Sequence, residues 1–254
     1  MLGRFLELSV RTPDIRASLD FYDRLGFSAA EVGEVWPHPY AVVTDGRIYV
    51  GLHQTPQLET PGLPEAAITF VRPDLLGALD AFERMGVEFE YRRLGNDVFN
   101  EVGWLDPSGN LIRLVEARTF SPSKRRALEN SACGHFLEIG LPEAHIENSK
   151  AYWEQLGFVG MDEPDARLPH VCCTSDTIDV GLYDRDELRR LTLLFDTDDP
   201  EGCILRLGQR GIEPTDGLPA TLRGGLAALF VAPEGTPIII ASFSDTAGLD
   251  TAGS

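Results

Sequence analysis

The chain is short of basic residues, of long apolar runs and of paired cysteines, and each shortage excludes a class of function. Lysine and arginine together number 22 against 40 aspartates and glutamates, a formal net charge of −18. Nucleic-acid phosphates need a basic surface, so this balance argues against DNA or RNA as a partner. It suits solubility and a cationic guest. The one basic cluster, "SPSKRRALEN", is too short to change this and reads as a linker with a short helix. No apolar stretch reaches the roughly 18 residues that a membrane-spanning helix requires. The opening "MLGRFLELSV" lacks the charged-then-apolar layout of a secretory signal. The expected compartment is the cytoplasm, with no membrane partner. Cys133, Cys172, Cys173 and Cys203 include no C-x-x-C pair, and Cys172 and Cys173 would alternate faces on a strand. They read as reduced core residues.

What the chain does have is a repeat. Residues 5–27 lie over residues 136–158 without a gap, and Phe5, Leu6, Glu7, Ile15, Ser18, Leu25, Gly26 and Phe27 meet identical residues. Further on, "HPYAVVTDGRIYVGLHQ" lies over "LPHVCCTSDTIDVGLYD". Self-similarity of this kind marks a duplication. Each half divides again. Thr12-Pro13-Asp14 reads as a helix start, with Thr12 as cap and Pro13 at the first helical position. Ile15, Leu19, Tyr22 and Leu25 follow at helical spacing, and Gly26 stands where a left-handed C-terminal cap wants glycine. Gly86, Gly157 and Gly211 close the other three helical segments in the same way. A short apolar strand precedes each helix and about three short strands follow it. The unit is βαβββ, four times over, in an α+β chain.

The patterns "FLELSVRTPDIRASLDFYDRLGF" and "GWLDPSGNLIRLVE" resemble the vicinal oxygen chelate superfamily, which includes glyoxalase I, bleomycin-resistance proteins and extradiol dioxygenases. The resemblance implies that two βαβββ modules curl into one open, bowl-shaped sheet around a small ligand. Four modules then give two bowls. The expected division is an N-terminal domain at 1–117 (modules 1–60 and 61–117), a linker at 118–133, a C-terminal domain at 134–245 (modules 134–187 and 188–245), and a tail at 246–254. Consecutive modules are expected to pair, since the short linker makes no demand for exchange between halves. The duplicated halves would mimic a dimer within one monomer; a homodimer of such chains is the alternative.

In metal-using members of the resembled family, His or Glu from the first and last strands of each module hold a divalent ion. The corresponding positions here are Glu7, Gly51, Ala67 and Arg113 in the first half, and Glu138, Gly181, Thr192 and Ile239 in the second. One carboxylate per bowl does not hold a catalytic ion against water, so no metal or other cofactor is expected. Of the histidines, His38, His53, His135, His145 and His170 match none of these places. His53, two residues past Gly51 on the same strand face, is the best placed of them.

A shielded carboxylate needs a partner. Arg113 is the expected partner of Glu7, as an anchor that replaces the metal. Trp36, Tyr40 and Tyr49, in and after the loop "EVWPHPY", would border the first bowl, where aromatic rings stack on flat ligands. The expected binding set is therefore Glu7, Arg113, Trp36, Tyr40, Tyr49 and His53, with Glu7 and Glu138 as candidate catalytic carboxylates. The function expected is metal-independent binding of a small molecule, cationic or aromatic, as bleomycin-resistance proteins do. The alternative is a lyase or an extradiol-type dioxygenase with an unconventional or metal-free site using Glu7 as base.

Overall fold

The computed structural model describes residues 2–31, 38–54, 62–95, 100–117, 131–223 and 226–243. Trp36, most of the expected linker (118–130, with the short helix read there) and the tail at 246–254 lie outside them. The first half runs β1 (Arg4–Arg11), α1 (Ile15–Arg24), β2 (Ser28–Ala30), β3 (Tyr40–Thr44), β4 (Tyr49–His53), then β5 (Ala66–Arg72), α2 (Leu79–Arg84), β6 (Phe89–Arg93), β7 (Glu101–Leu105) and β8 (Leu111–Glu116). The second half runs β9 (His135–Glu143), α3 (Ile146–Gln155), β10 (Val159–Glu163), β11 (His170–Thr174), β12 (Val180–Asp184), then β13 (Thr192–Asp196), α4 (Pro200–Gln209), β14 (Ala227–Val231) and β15 (Pro237–Ala241). No helix among the described residues is long and apolar enough to cross a membrane.

Each half is one mixed, open sheet. The first has the strand order β2-β3-β4-β1-β5-β8-β7-β6, the second β10-β11-β12-β9-β13-β15-β14. Consecutive modules therefore pair, through the antiparallel contacts β1–β5 and β9–β13. The fourth module is thinner than the second. Where β6 would have its equivalent, Thr215 makes a single isolated bridge to Leu229.

The helices form where apolar spacing and local caps agree. In α1 the cap is Asp14 rather than Thr12: its carboxylate accepts from the backbone N–H groups of Arg16 and Ala17. Thr12 is displaced from that role because its hydroxyl is buried against Ser18 Oγ at 2.8 Å. Gly26 (φ 90°) and Gly157 (φ 105°) end α1 and α3 in the left-handed region. The helices cover one face of each sheet, and a single apolar core runs through both halves. Phe27 meets Phe195 edge-on at 6.3 Å, and Phe70 meets Phe158 at 6.4 Å. Tyr22 and Trp153 are fully buried in this core, as their helical spacing implied.

Two carboxylates tie the halves together at pseudo-equivalent places. Glu234, in the turn before β15, accepts from Ser18 Oγ (2.7 Å) and Tyr22 Oη (2.8 Å) of α1. Glu143, at the end of β9, accepts from Ser108 and Ser149 hydroxyls and from Asn110 Nδ2 (3.4 Å). Ser108 and Asn110 belong to the turn before β8, so each turn reaches across to the other half. Glu143 is buried beside Asp106. Burial first, and then the Asp106 charge, push its carboxyl up to about 7.

A folded-state value raised above the ordinary 4.5 means that the protonated form is favoured by folding. The contribution is present below the unfolded value and is lost as pH rises through about 7. Equilibrium unfolding should show stability falling by about 1–2 kcal/mol between roughly pH 5 and 8 from this group. Glu143→Gln should flatten that segment of the profile; an unchanged slope would show that Glu143 is not the titrating group.

Candidate functional site

The floor of the first bowl is set by strand register. Glu7 on β1 stands opposite Thr69 on β5, and Thr69 stands beside Arg113 on β8. On the other side, β1 pairs in parallel with β4, and the Glu7 carboxylate folds across to lie over Gly51. A Cβ built on Gly51 would fall within 2.1–2.4 Å of its carboxyl atoms. Glycine at 51 is thus the space that the carboxylate occupies. The sequence comparison put Ala67 and Thr192 opposite the two glutamates. The register instead puts Thr69 opposite Glu7 and Leu194 opposite Glu138. The pairing runs unbroken from Ser9–Ala67 to Glu7–Thr69 and from Gly140–Thr192 to Glu138–Leu194, so the facing residue stands two positions further along each strand.

Glu7 is 2% exposed and held by three donors. Ser9 Oγ donates at 2.7 Å, His53 Nε2 at 3.0 Å, and the Tyr40 hydroxyl donates to the other oxygen. Ser9 spends its proton on Glu7, so the Thr69 hydroxyl, 2.7 Å away, donates to Ser9. His53 Nδ1 then lies 2.9 Å from His38 Nε2. Nε2 of His53 faces Glu7 and Nδ1 faces His38, so the ring spans the two groups. The result is a chain, His38–His53–Glu7, that runs from a half-buried ring to a buried carboxylate. Burial pushes the Glu7 carboxyl up. The hydrogen bond and charge of His53, with Tyr40 and Ser9, outweigh this and hold it below the ordinary value.

Arg113 faces the same bowl but does not form the expected pair with Glu7. Its Nε donates to Tyr91 Oη at 3.1 Å and lies 4.0 Å from Glu101 Oε2. Glu101 is buried and takes Arg93 Nη1 at 2.8 Å. The reason is spacing. Two strand steps separate Glu7 from Arg113, roughly 9–10 Å, and Thr69 occupies the place between them. Tyr91 reaches Arg113 because its ring lies over Gly103, where an added Cβ would meet ring carbon at 2.2 Å. Tyr49 is half-buried and shares the strand face of Gly51 and His53.

The second bowl repeats the trio in apolar surroundings. Glu138 lies over Gly181, accepts from the Tyr183 hydroxyl, and has His170 Nε2 at 3.4 Å. His170 and Tyr183 stack at 4.6 Å, as Tyr40 and His53 approach at 4.7 Å in the first half. The two residues have changed places: tyrosine is on β3 and histidine on β4, whereas histidine is on β11 and tyrosine on β12. Leu194 and Ile239 stand where Thr69 and Arg113 stand. With Leu168, Leu188 and Leu222 they form a separate buried apolar cluster that fills this face. Burial pushes Glu138 up, and the His170 charge and Tyr183 hydrogen bond offset this only in part.

Two of the comparisons with known proteins agree with this architecture. Residues 4–114 match the family model described as "Glyoxalase/Bleomycin resistance protein/Dioxygenase superfamily". That match covers the first half of the chain and not the second. The whole chain is similar in fold to catechol 2,3-dioxygenase, at 16% identity and a TM-score of 0.55 over 93% of this chain and 86% of that one. It is similar to homoprotocatechuate 2,3-dioxygenase from Brevibacterium fuscum, at 18% and 0.60 over 98% and 74%. It is also similar to the 2,3-dioxygenase LapB from Pseudomonas sp. KL28, at 19% and 0.54 over 93% and 90%. Such identities speak to fold alone. No match was found among curated protein sequences.

The three fold neighbours are named as dioxygenases, which raises the question of a metal. The converging positions of the first bowl are Glu7, Gly51, Thr69 and Arg113. They offer one carboxylate, and it is already held by three donors; the guanidinium opposes a cation. His53 engages both ring nitrogens with Glu7 and His38. Among the described residues, no three His, Cys, Asp or Glu side chains could hold an ion together. The described residues of this bowl do not fit a divalent metal.

Glu7, Tyr40, His53 and Arg113 are therefore brought to one bowl; Glu138 lies in the other, and Trp36 lies outside the described residues. Sequence reasoning missed His38, Tyr91, Glu101 and the His170–Tyr183 pair. The last was visible in the repeat, where Tyr40 aligns with His170 and His53 with Tyr183. His170 is thus no ordinary surface histidine.

The two glutamates should respond unequally to removal of charge. Glu7, held low, contributes stability that is present above the unfolded carboxylate value and lost as pH falls through its depressed folded value. Glu138, pushed up, contributes below the unfolded value and loses that contribution as pH rises. At pH 7 Glu7→Gln should destabilise by about 1–3 kcal/mol, and Glu138→Gln by less than about 1 kcal/mol. Denaturant melts of the two variants check this, and equal losses would refute the asymmetry.

Proposed function

We propose that this chain is a metal-independent small-molecule-binding protein of the glyoxalase/bleomycin-resistance type, with its ligand in the first bowl. The observation that carries this reading is the contrast between the bowls. One keeps a row of polar groups, Glu7, Ser9, Thr69, Arg113 and Tyr91; the other is filled by leucine and isoleucine. Buried polar groups cost stability unless they are used or fully satisfied, and an apolar filling was available to this fold, as the second half demonstrates. Arg113, with a side chain 21% exposed, is the part of the floor open to a ligand. Tyr40 and Tyr49 offer rings to an aromatic or cationic group.

A second reading rests on the His38–His53–Glu7 chain. In a metal-free lyase or isomerase, the base would be the histidine and not Glu7. Glu7 already accepts three hydrogen bonds and is held low, so it orients the imidazole and balances its charge.

Thermal-shift and calorimetric titrations with catechol, benzylamine and benzoate should find one of these classes binding saturably. Arg113→Ala and His53→Ala should each weaken that binding at least ten-fold. Catechol with added ferrous iron in air should remain uncleaved by absorbance. Ring opening under those conditions, or binding indifferent to both substitutions, would refute the proposal. Turnover of the bound class without metal, abolished by His53→Ala, would select the second reading.

A further inference from the structure

A groove of about 770 Å³ lies between the two halves, lined by both cross-reaching turns and by none of the bowl residues. Four arginines line it: Arg11 from the first half, and Arg185, Arg189 and Arg190 from the second. Arg11 is neutralised by Glu65. The other three side chains make no hydrogen bond or salt bridge with any described residue; Arg185 acts on Glu143 only through its charge at a distance. In a chain with 40 acidic against 22 basic residues, an arginine cluster without carboxylate partners runs against the composition. Three carboxylates also line the groove, and two are engaged elsewhere: Glu65 with Arg11, and Glu234 with the Ser18 and Tyr22 hydroxyls. Hydroxyl donors do not cancel a carboxylate's charge, so Asp186 and Glu234 together stand against three guanidinium groups.

The repeat shows that this charge is particular to one side. Ser9 pairs with Ala67 in the first half as Gly140 pairs with Thr192 in the second. Pro64 and Glu65 therefore correspond to Arg189 and Arg190, and Arg11 corresponds to Pro142. The first half carries a closed Arg11–Glu65 pair. At the same place the second half carries a proline and an arginine, so the carboxylate is gone and the guanidinium is left facing the groove. Guanidinium groups bind phosphate and carboxylate oxygens through paired, charge-assisted hydrogen bonds, and the volume suits a small molecule of roughly 300–1,000 Å³ sites.

We propose that the groove between the halves binds a compact polyanion, a small molecule carrying two or more phosphate or carboxylate groups, on Arg185, Arg189 and Arg190. This site is separate from the bowl and does not depend on the function assigned to it. The probes are inorganic pyrophosphate and citrate, titrated into the full chain by calorimetry and thermal shift, with sodium chloride at matched ionic strength as control. At least one probe should bind saturably and raise the melting midpoint. An R189A/R190A double variant, and separately R185Q, should weaken binding ten-fold or more, while R16A, which removes an exposed charge from α1, should not. Tighter pyrophosphate binding assigns a phosphorylated ligand, and tighter citrate binding a polycarboxylate. A response that sodium chloride reproduces, or one that survives both sets of substitutions, overturns the proposal, as does failure of both probes to bind.

Discussion

A carboxylate buried on a sheet face must be answered by donors, and much of the first bowl follows from how Glu7 is answered. Its side chain lies flat over β4, which leaves room only for glycine at position 51. That glycine removes a position from which a metal could be held. The donors must then come from the strands next along: Tyr40 at the start of β3 and His53 at the end of β4 are direct cross-strand partners, so one register step delivers both. Ser9 and Thr69 close the other side.

The second half shows the same arrangement in apolar surroundings. The glutamate, glycine, histidine and tyrosine persist, with the two ring residues exchanged between strands. An exchange that preserves the set while reversing its positions indicates that the carboxylate needs both donors wherever they stand. What changed is the surroundings. Leu194 and Ile239 replace Thr69 and Arg113, so Glu138 sits in an apolar cluster that pushes its carboxyl up, while Glu7 remains in a polar one that holds it down. The bulk of the stabilisation in the second bowl comes from apolar burial; the first gives some of that up.

The repeat made the architecture legible before any coordinates. Gapless alignment of residues 5–27 with 136–158, and a glycine after each helical segment, were enough for four βαβββ units. Site details were less accessible, for physical reasons. Which residue faces Glu7 depends on the register of β1 against β5, which residue order does not state. The Arg113–Glu7 pair failed because two strands' width separates residues that share one bowl. Tyr91 and Glu101, the groups that do engage Arg113, come from β6 and β7, and only sheet order brings them there. Thr12 looked like a cap until its hydroxyl proved to be committed to Ser18. His170 and Tyr183 could have been found, because the exchange is written in the aligned halves.

The apolar core that passes from one half into the other also bears on how this molecule can be divided. Two similar units in sequence invite the view of two modules that could be cut apart and recombined. Yet Phe27 rests on Phe195, Phe70 on Phe158, and the α1 hydroxyls end on a carboxylate of the last turn. Separated, each half would present aromatic rings and an unanswered Tyr22 or Glu143 to water. The unit that can be inherited, shuffled or truncated is therefore the pair, and the duplication has become irreversible through its seam.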